Sequence, residues 1–150
     1  MIEKNDGLLS LKQITQKGLS IPVFGGNEWS HDADRQKQLD RFVHVAFLDD
    51  HPMFYIAKKE KRITEPVWLY IDISILELGN IKYSSDVSNK AGISILDNDQ
   101  AIEEIDFEVL FTRTDWCDPE IQQRRKTALK SEILIPNFIP LDKITGYKNG

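Results

Sequence analysis

The sequence predicts an α+β domain built on largely antiparallel sheet. Three observations carry this prediction. Short runs rich in β-branched and aromatic residues, such as RFVHVAF (residues 41–47) and VWLYIDISI (residues 67–75), have the composition of strands. Polar caps and prolines open helical segments between them. These elements follow one another without the regular strand–helix alternation of a parallel sheet. A chain of 150 residues with 41% hydrophobic content suits one domain, residues 1–150, with a real core.

The elements follow in order. Leu8, Leu11 and Ile14 recur at helical spacing and Gly18 supplies a stop, so a helix is expected over residues 8–17. Residues 19–40 read as a long loop with a short helical tail, because Gly25, Gly26 and Asn27 break regular structure. Trp29 in that loop either packs inward or stacks on a flat ligand, and Arg35 is by default a solvated loop arginine. After the strand at 41–47, LDDHP turns and Pro52 opens a helix, where its missing N–H costs no hydrogen bond. Met53, Phe54 and either Ile56 or Ala57 point inward there, and the cluster Lys58, Lys59, Lys61 and Arg62 points outward.

The strand at 67–75 is followed by a Gly79-Asn80 turn, a short strand at 81–83 and the polar loop SSDVSNKAG (residues 84–92). Asn98 or Asp99 caps a helix through Ile105. DFEVLFTR (residues 106–113) reads as strand. Asp118 caps a helix from Pro119 to about Lys126, with Glu120 at its positive end. In KSEILIPNFIPLDKI (residues 130–144) a strand begins at Glu132, turns through Pro136 and Pro140, and leads to a last strand at 143–147.

Glu132 poses the functional question. Alternation puts Glu132 and Leu134 on one face and Ile133 and Ile135 on the other, so both faces are apolar and the strand is internal. A carboxylate at the mouth of such a strand either reaches water or is held for chemistry.

Composition narrows the classes. The apolar runs are too short to span a bilayer, and MIEKNDGL lacks the basic start and apolar core of a secretory signal, so no membrane association is expected. The single cysteine, Cys117, forms no internal disulfide, which fits the cytoplasm, and a small packing residue is its expected role. His31, His44 and His51 lack paired ligand spacing, so no metal is expected. A net charge of −5 argues against bulk polyanion binding. Local basic clusters, including Arg124, Arg125, Lys126 and Lys130, are either solvated helix faces or phosphate contacts. No glycine-rich phosphate loop and no GxSxG elbow is present. Asp49, Asp50 and Glu132 could converge as in a carboxylate hydrolase. His51 sits in a turn before a helix, where free N–H groups can hold an anion, and Tyr55 follows it by four residues.

Three segments together resemble the DarT family of nucleic-acid ADP-ribosyltransferases. HDADRQKQLDRFVHVAFLDDHPMFYIA (residues 31–57) is similar to the family's loop arginine, strand, turn and P-M-x-Y type helix start. IKYSSDVSNKAG (residues 81–92) is similar to its polar loop after a strand. Residues 105–116 and 123–144 resemble the region of its catalytic glutamate, which would be Glu132. The opening helix with Gly18 also resembles the family's first helix.

The resemblance implies an ADP-ribosyltransferase fold with two small sheets around a cleft that binds NAD as co-substrate. It implies transfer of ADP-ribose to a base of single-stranded nucleic acid, DNA or RNA with DNA preferred. It also implies a toxin restrained by an antitoxin with an ADP-ribose-removing macrodomain. By the same resemblance Arg35, His44, Asp50, His51, Met53 and Tyr55 would contact NAD. Arg113, Trp116, Arg124, Arg125 and Lys126 would meet the nucleic acid, the cations on phosphates and the indole on a base. The sequence departs from the pattern at residues 4–7, where many members have a histidine. It departs again at Asp49, Asp50 and His51, where many have an arginine. A non-catalytic nucleic-acid- or protein-binding module on the same fold is the alternative.

Overall fold

A computed structural model describes residues 2–20 and 28–150, apart from the side chains of residues 28–30. The expectations for Gly25, Gly26, Asn27 and the Trp29 side chain lie outside the described residues. The elements are β1 (Gly7–Leu9), α1 (Leu11–Gln16), α2 (Glu28–Gln36), β2 (Phe42–Ala46), α3 (Pro52–Lys59), β3 (Val67–Ile71), β4 (Lys82–Ser84), α4 (Asn98–Glu104), α5 (Phe107–Phe111), α6 (Pro119–Ala128), β5 (Glu132–Pro136), β6 (Phe138–Pro140) and β7 (Ile144–Asn149). Strands pair antiparallel in three small sheets, β1-β6, β2-β5-β4 and β3-β7. The α+β expectation therefore holds, with three sheets among the described residues where two were expected.

β5 is the middle strand, as its two apolar faces required. Its register sets Ala46 and Ser84 on either side of Glu132, and His44 and Lys82 on either side of Leu134. Directly opposed residues share a face. One face thus carries Val43, Tyr83, Ile133 and Ile135 into the main core with Ile75, Leu96, Val109 and Ile139. The other face carries Leu134 into a small cluster with Leu39 and Phe42, and Glu132 and His44 belong to it. Leu134 is wholly buried and Glu132 is 7% exposed.

Several expectations are corrected. Leu8 is not helical: residues 7–9 pair with β6, and Ser10, whose hydroxyl accepts from the Gln13 amide, starts α1 one turn later. Gly18 ends it as expected, with φ +61 and a bond from the Leu19 amide to the Ile14 carbonyl. The short helical tail expected of the 19–40 segment is present as the nine-residue helix α2. The strand from Val67 stops at Ile71, because the Asp72 carboxylate accepts from the Ser74 amide and turns the chain into a 3-10 helix. Asp97, not Asn98 or Asp99, caps α4, in a reciprocal capping box with Gln100.

The largest correction concerns α5. Residues 107–111 form a helix, not a strand. Phe107, Leu110 and Phe111 fit a helical period while Phe107, Val109 and Phe111 fit an alternating one, and Asp106 decides by capping the Val109 amide. Phe107 and Phe111 then stack at 6.3 Å and both meet Phe47 edge-on. In α3 the inward residue is Ala57, while Ile56 is 42% exposed. Cys117 is exposed rather than packed.

Candidate functional site

Glu132 starts β5 with its carboxylate turned toward the loop after β4. Oε2 accepts the Ser88 amide at 3.1 Å and the Ser88 hydroxyl at 2.5 Å, and His44 Nδ1 stands 3.3 Å away. His44 Nε2 lies 3.2 Å from the Leu39 carbonyl, which can only accept, so Nε2 carries a proton. The Ser88 hydroxyl spends its proton on Glu132, so at 3.2 Å it accepts from His44 Nδ1. Both ring nitrogens therefore donate, and His44 is an imidazolium facing a carboxylate.

The electrostatics agree. Desolvation works against a charged His44. The hydrogen bond and charge of Glu132, with Asp34 and the Leu39 carbonyl, overcome it and raise its pKa. Burial likewise works against a charged Glu132, and His44, Ser88 and His51 overcome it, lowering its pKa. Glu132 is an anion whose hydrogen bonds to Ser88 and His44 all go to Oε2.

His51 supplies the second wall. It caps α3, its Nδ1 accepting from the Met53 amide at 3.2 Å, which fixes the proton on Nε2. That buried Nε2 makes no well-aligned hydrogen bond; the Lys130 carbonyl is near it and Glu132 Oε1 stands 3.7 Å off. Burial lowers the pKa of His51 despite the nearby Glu132 charge and the Lys130 carbonyl, so this ring is neutral.

These groups line a cleft of about 400 Å³. Glu132, His44, His51 and Met53 are on its wall, and Phe54 and Trp68, centroids 4.9 Å apart, add an aromatic surface. A second cleft of about 410 Å³ is lined in part by the same turn and helix start, through Asp50 and Pro52. It is lined by Asp50, Tyr55, Trp116, Arg125 and Lys126 among others. The Tyr55 hydroxyl donates to Asp50 at 2.9 Å, Arg125 Nη2 lies 3.6 Å from the same carboxylate, and the Arg125 guanidinium sits 4.4 Å over the Trp116 ring.

The structure thus divides the residues expected at the site. Glu132, His44, His51 and Met53 share the first cleft. Asp50 and Tyr55, expected with them, face the second, beside Trp116, Arg125 and Lys126. Arg35 lines neither: it is on α2, paired with Asp32 at 3.0 Å and 54% exposed. Arg124 is held by Asp106 at 2.7 Å and Glu108 at 2.7 Å, tying α6 to the start of α5. Arg113 is exposed in the connection between those helices. Among the described residues no group of His, Cys, Asp and Glu could hold a metal ion, and no helix is long and apolar enough to cross a membrane.

Sequence reasoning missed Ser88, Phe54 and Trp68. Phe54 was expected in the core and Trp68 on a strand face. Ser88 lay in the polar 84–92 loop, where nothing but the family likeness of that loop distinguishes it from its neighbours.

Comparison with known proteins bears on this arrangement. The family model described as "ssDNA thymidine ADP-ribosyltransferase, DarT" matches residues 1–147. Among solved structures, the chain is similar to Thermus sp. 2.9 DarT in complex with ADP-ribosylated ssDNA, at 13% identity and a TM-score of 0.68, covering 97% of this chain and 73% of that one. It is also similar to the same Thermus protein in complex with NAD+, at 16% identity and a TM-score of 0.59, covering 95% and 72%. The complex with carba-NAD+ is similar at 16% identity and a TM-score of 0.60, covering 97% and 74%. No match to a curated protein sequence was found. Matched over nearly its whole length, this chain belongs to the DarT family of NAD-dependent ssDNA ADP-ribosyltransferases.

Proposed function

We propose that this chain transfers ADP-ribose from NAD to thymidine in single-stranded DNA with Glu132 as its catalytic carboxylate. The observation that carries the assignment is the state of Glu132: buried, ionised, on the wall of the first cleft, and fixed through hydrogen bonds that all go to Oε2 and leave Oε1 out. Cleaving the nicotinamide–ribose bond builds positive charge on the sugar as neutral nicotinamide leaves. A fixed anion stabilises that charge more than it stabilises the substrate. Oε1 suits a ribose hydroxyl, and the neutral His51 Nε2–H beside it offers a donor. Phe54 and Trp68 offer a flat surface for an aromatic ring, and Met53 and His44 complete the wall. Thymine carries a single ring N–H, so its nitrogen can attack only if that proton leaves, and this reading gives the proton to the Glu132 carboxylate.

Asp50 and Tyr55 belong, in this reading, to the acceptor side, where Trp116 and Arg125 would stack a base and Lys126 would meet a phosphate. Arg35 remains assigned to NAD only if the α2 surface closes on it, and Arg113 to the strand by its exposed position. Membership of the family supports a toxin role in the cytoplasm, with a macrodomain antitoxin that removes ADP-ribose, as part of this reading. Co-expression of such a macrodomain would relieve growth arrest by this chain.

The test is incubation with adenylate-labelled NAD and matched oligonucleotides. Label is expected in thymidine-containing single-stranded DNA, and not in thymidine-free DNA, RNA or protein. Glu132→Gln is expected to abolish transfer while leaving the melting transition cooperative. If NAD raises the melting temperature of the wild type and no acceptor takes label, the chain is a binding module and the catalytic assignment fails.

A further inference from the structure

We propose that Lys37 is a positioning residue for Glu132, acting through the loop that carries Ser88. The inference rests on the catalytic assignment of Glu132. The loop between β4 and α4 is tied to the sheet edge by little main-chain pairing, the bridge between Tyr83 and Leu96 closing its base. Ser88 nevertheless has to present its amide and its hydroxyl to one oxygen of Glu132. A loop without a ladder needs side chains to hold that aim.

Lys37 provides the hold. Its Nζ donates to the Ser88 carbonyl at 3.1 Å and to the Lys90 carbonyl, across more than fifty residues of chain. One ammonium thus brackets the turn from both sides of Asn89. Inside the bracket, the Lys90 amide bonds the Val87 carbonyl at 3.0 Å and Lys90 Nζ reaches Asp86 at 2.7 Å. The same short segment acts a second time. Gln38 takes a left-handed conformation, φ +57, and the chain then delivers the Leu39 carbonyl to His44 Nε2. Residues 37–39 therefore brace both partners of Glu132 Oε2, Ser88 by a side chain and His44 by the main chain. A group held through supporting hydrogen bonds loses its aim when the support goes, and misplacement by about 1 Å can cost about 100-fold in rate.

The test compares Lys37→Met and Lys37→Arg in the full chain, with NAD and thymidine-containing single-stranded DNA. Lys37→Met is expected to lower kcat by about 10- to 100-fold with little change in the KM for NAD, because the cleft walls stay in place. The acid limb of its pH–rate profile is expected to move up, since Glu132 loses part of the Ser88 support. Lys37→Arg, which can still reach two carbonyls, is expected to restore most of kcat. Titration of Glu132 in glutamate-labelled protein by carbon NMR reads the same shift without activity. An unchanged kcat and acid limb in Lys37→Met overturns the inference. So does an equal loss in both variants with the Glu132 titration unmoved, which marks a general fold defect. If Glu132→Gln keeps transfer, the catalytic assignment fails, while the NMR titration still decides whether Lys37 sets the state of Glu132.

Discussion

Ser88 and Glu132, 44 residues apart in the chain, meet through a single carboxylate oxygen that takes both the amide and the hydroxyl of the serine. Hydrogen bonds to a buried charge are among the stronger ones, each worth about 1.5–3 kcal/mol. Ser88→Ala removes one of the two. It is expected to destabilise the fold by about 1.5–3 kcal/mol in urea titration and to lower kcat about tenfold by loosening Glu132. A variant with wild-type kcat would mean that the amide alone sets the carboxylate.

The His44–Glu132 pair gives stability a signed pH dependence. The folded pKa of His44 is raised, so its contribution is fully present below the ordinary histidine value of 6.5 and is lost as pH rises through the raised value. The folded pKa of Glu132 is lowered, so its contribution is present above the ordinary value of 4.5 and lost as pH falls through the lowered one. The pair therefore supports the fold best between these two ordinary values. His44→Gln is expected to cost more stability at pH 5.5 than at pH 9. The side chain of His44 keeps 28% exposure to the cleft, which limits the difference to about 1 kcal/mol. His51 is present in both proteins and cancels from the comparison. Parallel denaturant titrations at the two pH values decide it.

The three cation-bearing positions of α6 are expected to separate. Arg125→Gln and Trp116→Ala should weaken binding of single-stranded DNA, the loss of stacking being about 1–3 kcal/mol per base. Lys126→Gln should mainly flatten the salt dependence, by about 0.7 in the logarithmic slope for one lost phosphate contact. Arg124→Gln should leave DNA affinity nearly unchanged and lower the melting temperature, because its guanidinium is committed to Asp106 and Glu108. Fluorescence anisotropy over a salt series, with melting curves alongside, distinguishes these outcomes. An Arg124 variant as weak in binding as the Arg125 variant would overturn the division.

Gly7 is required by a close approach. A Cβ there would stand 2.1 Å from the Ile139 carbonyl oxygen, at φ +154. Gly7→Ala must push β1 off β6, which buries Ile139 completely. A loss above about 3 kcal/mol is expected, at the upper end of single substitutions, measurable as a shift of the denaturation midpoint. Gly18→Ala, with nothing within 4 Å of its Cβ, meets only the strain of φ +61 and should cost about 1 kcal/mol.

Much of this molecule was legible in the amino-acid order, and the legible part shares a cause. Pro52, Pro119, Asp118 and Gly18 mark their helix ends correctly because capping and proline chemistry act within one turn of chain. Glu132 declares itself because a carboxylate followed by three aliphatic residues contradicts the period of its own strand, and the contradiction is local. Residues 107–111 were misread for the complementary reason. The apolar residues of FEVLF, around Glu108, suit either period, and only the packing of Phe107 and Phe111 around Phe47, together with the Asp106 cap, selects the helix.

What the sequence determined by itself is therefore the class of the fold, most of its strands and the one carboxylate worth following. Only the tertiary structure decided which partners that carboxylate has. Ser88, His44, His51 and Lys37 arrive from four different segments. Their ionisation depends on distances of a few ångströms, since desolvation and Coulomb energy are fixed by what surrounds a group in space. The same holds for Arg124 and Arg125, adjacent in the chain, one tied to two acids and the other laid over a tryptophan. Adjacent residues on a helix point about 100° apart, so neighbours in sequence face different surroundings.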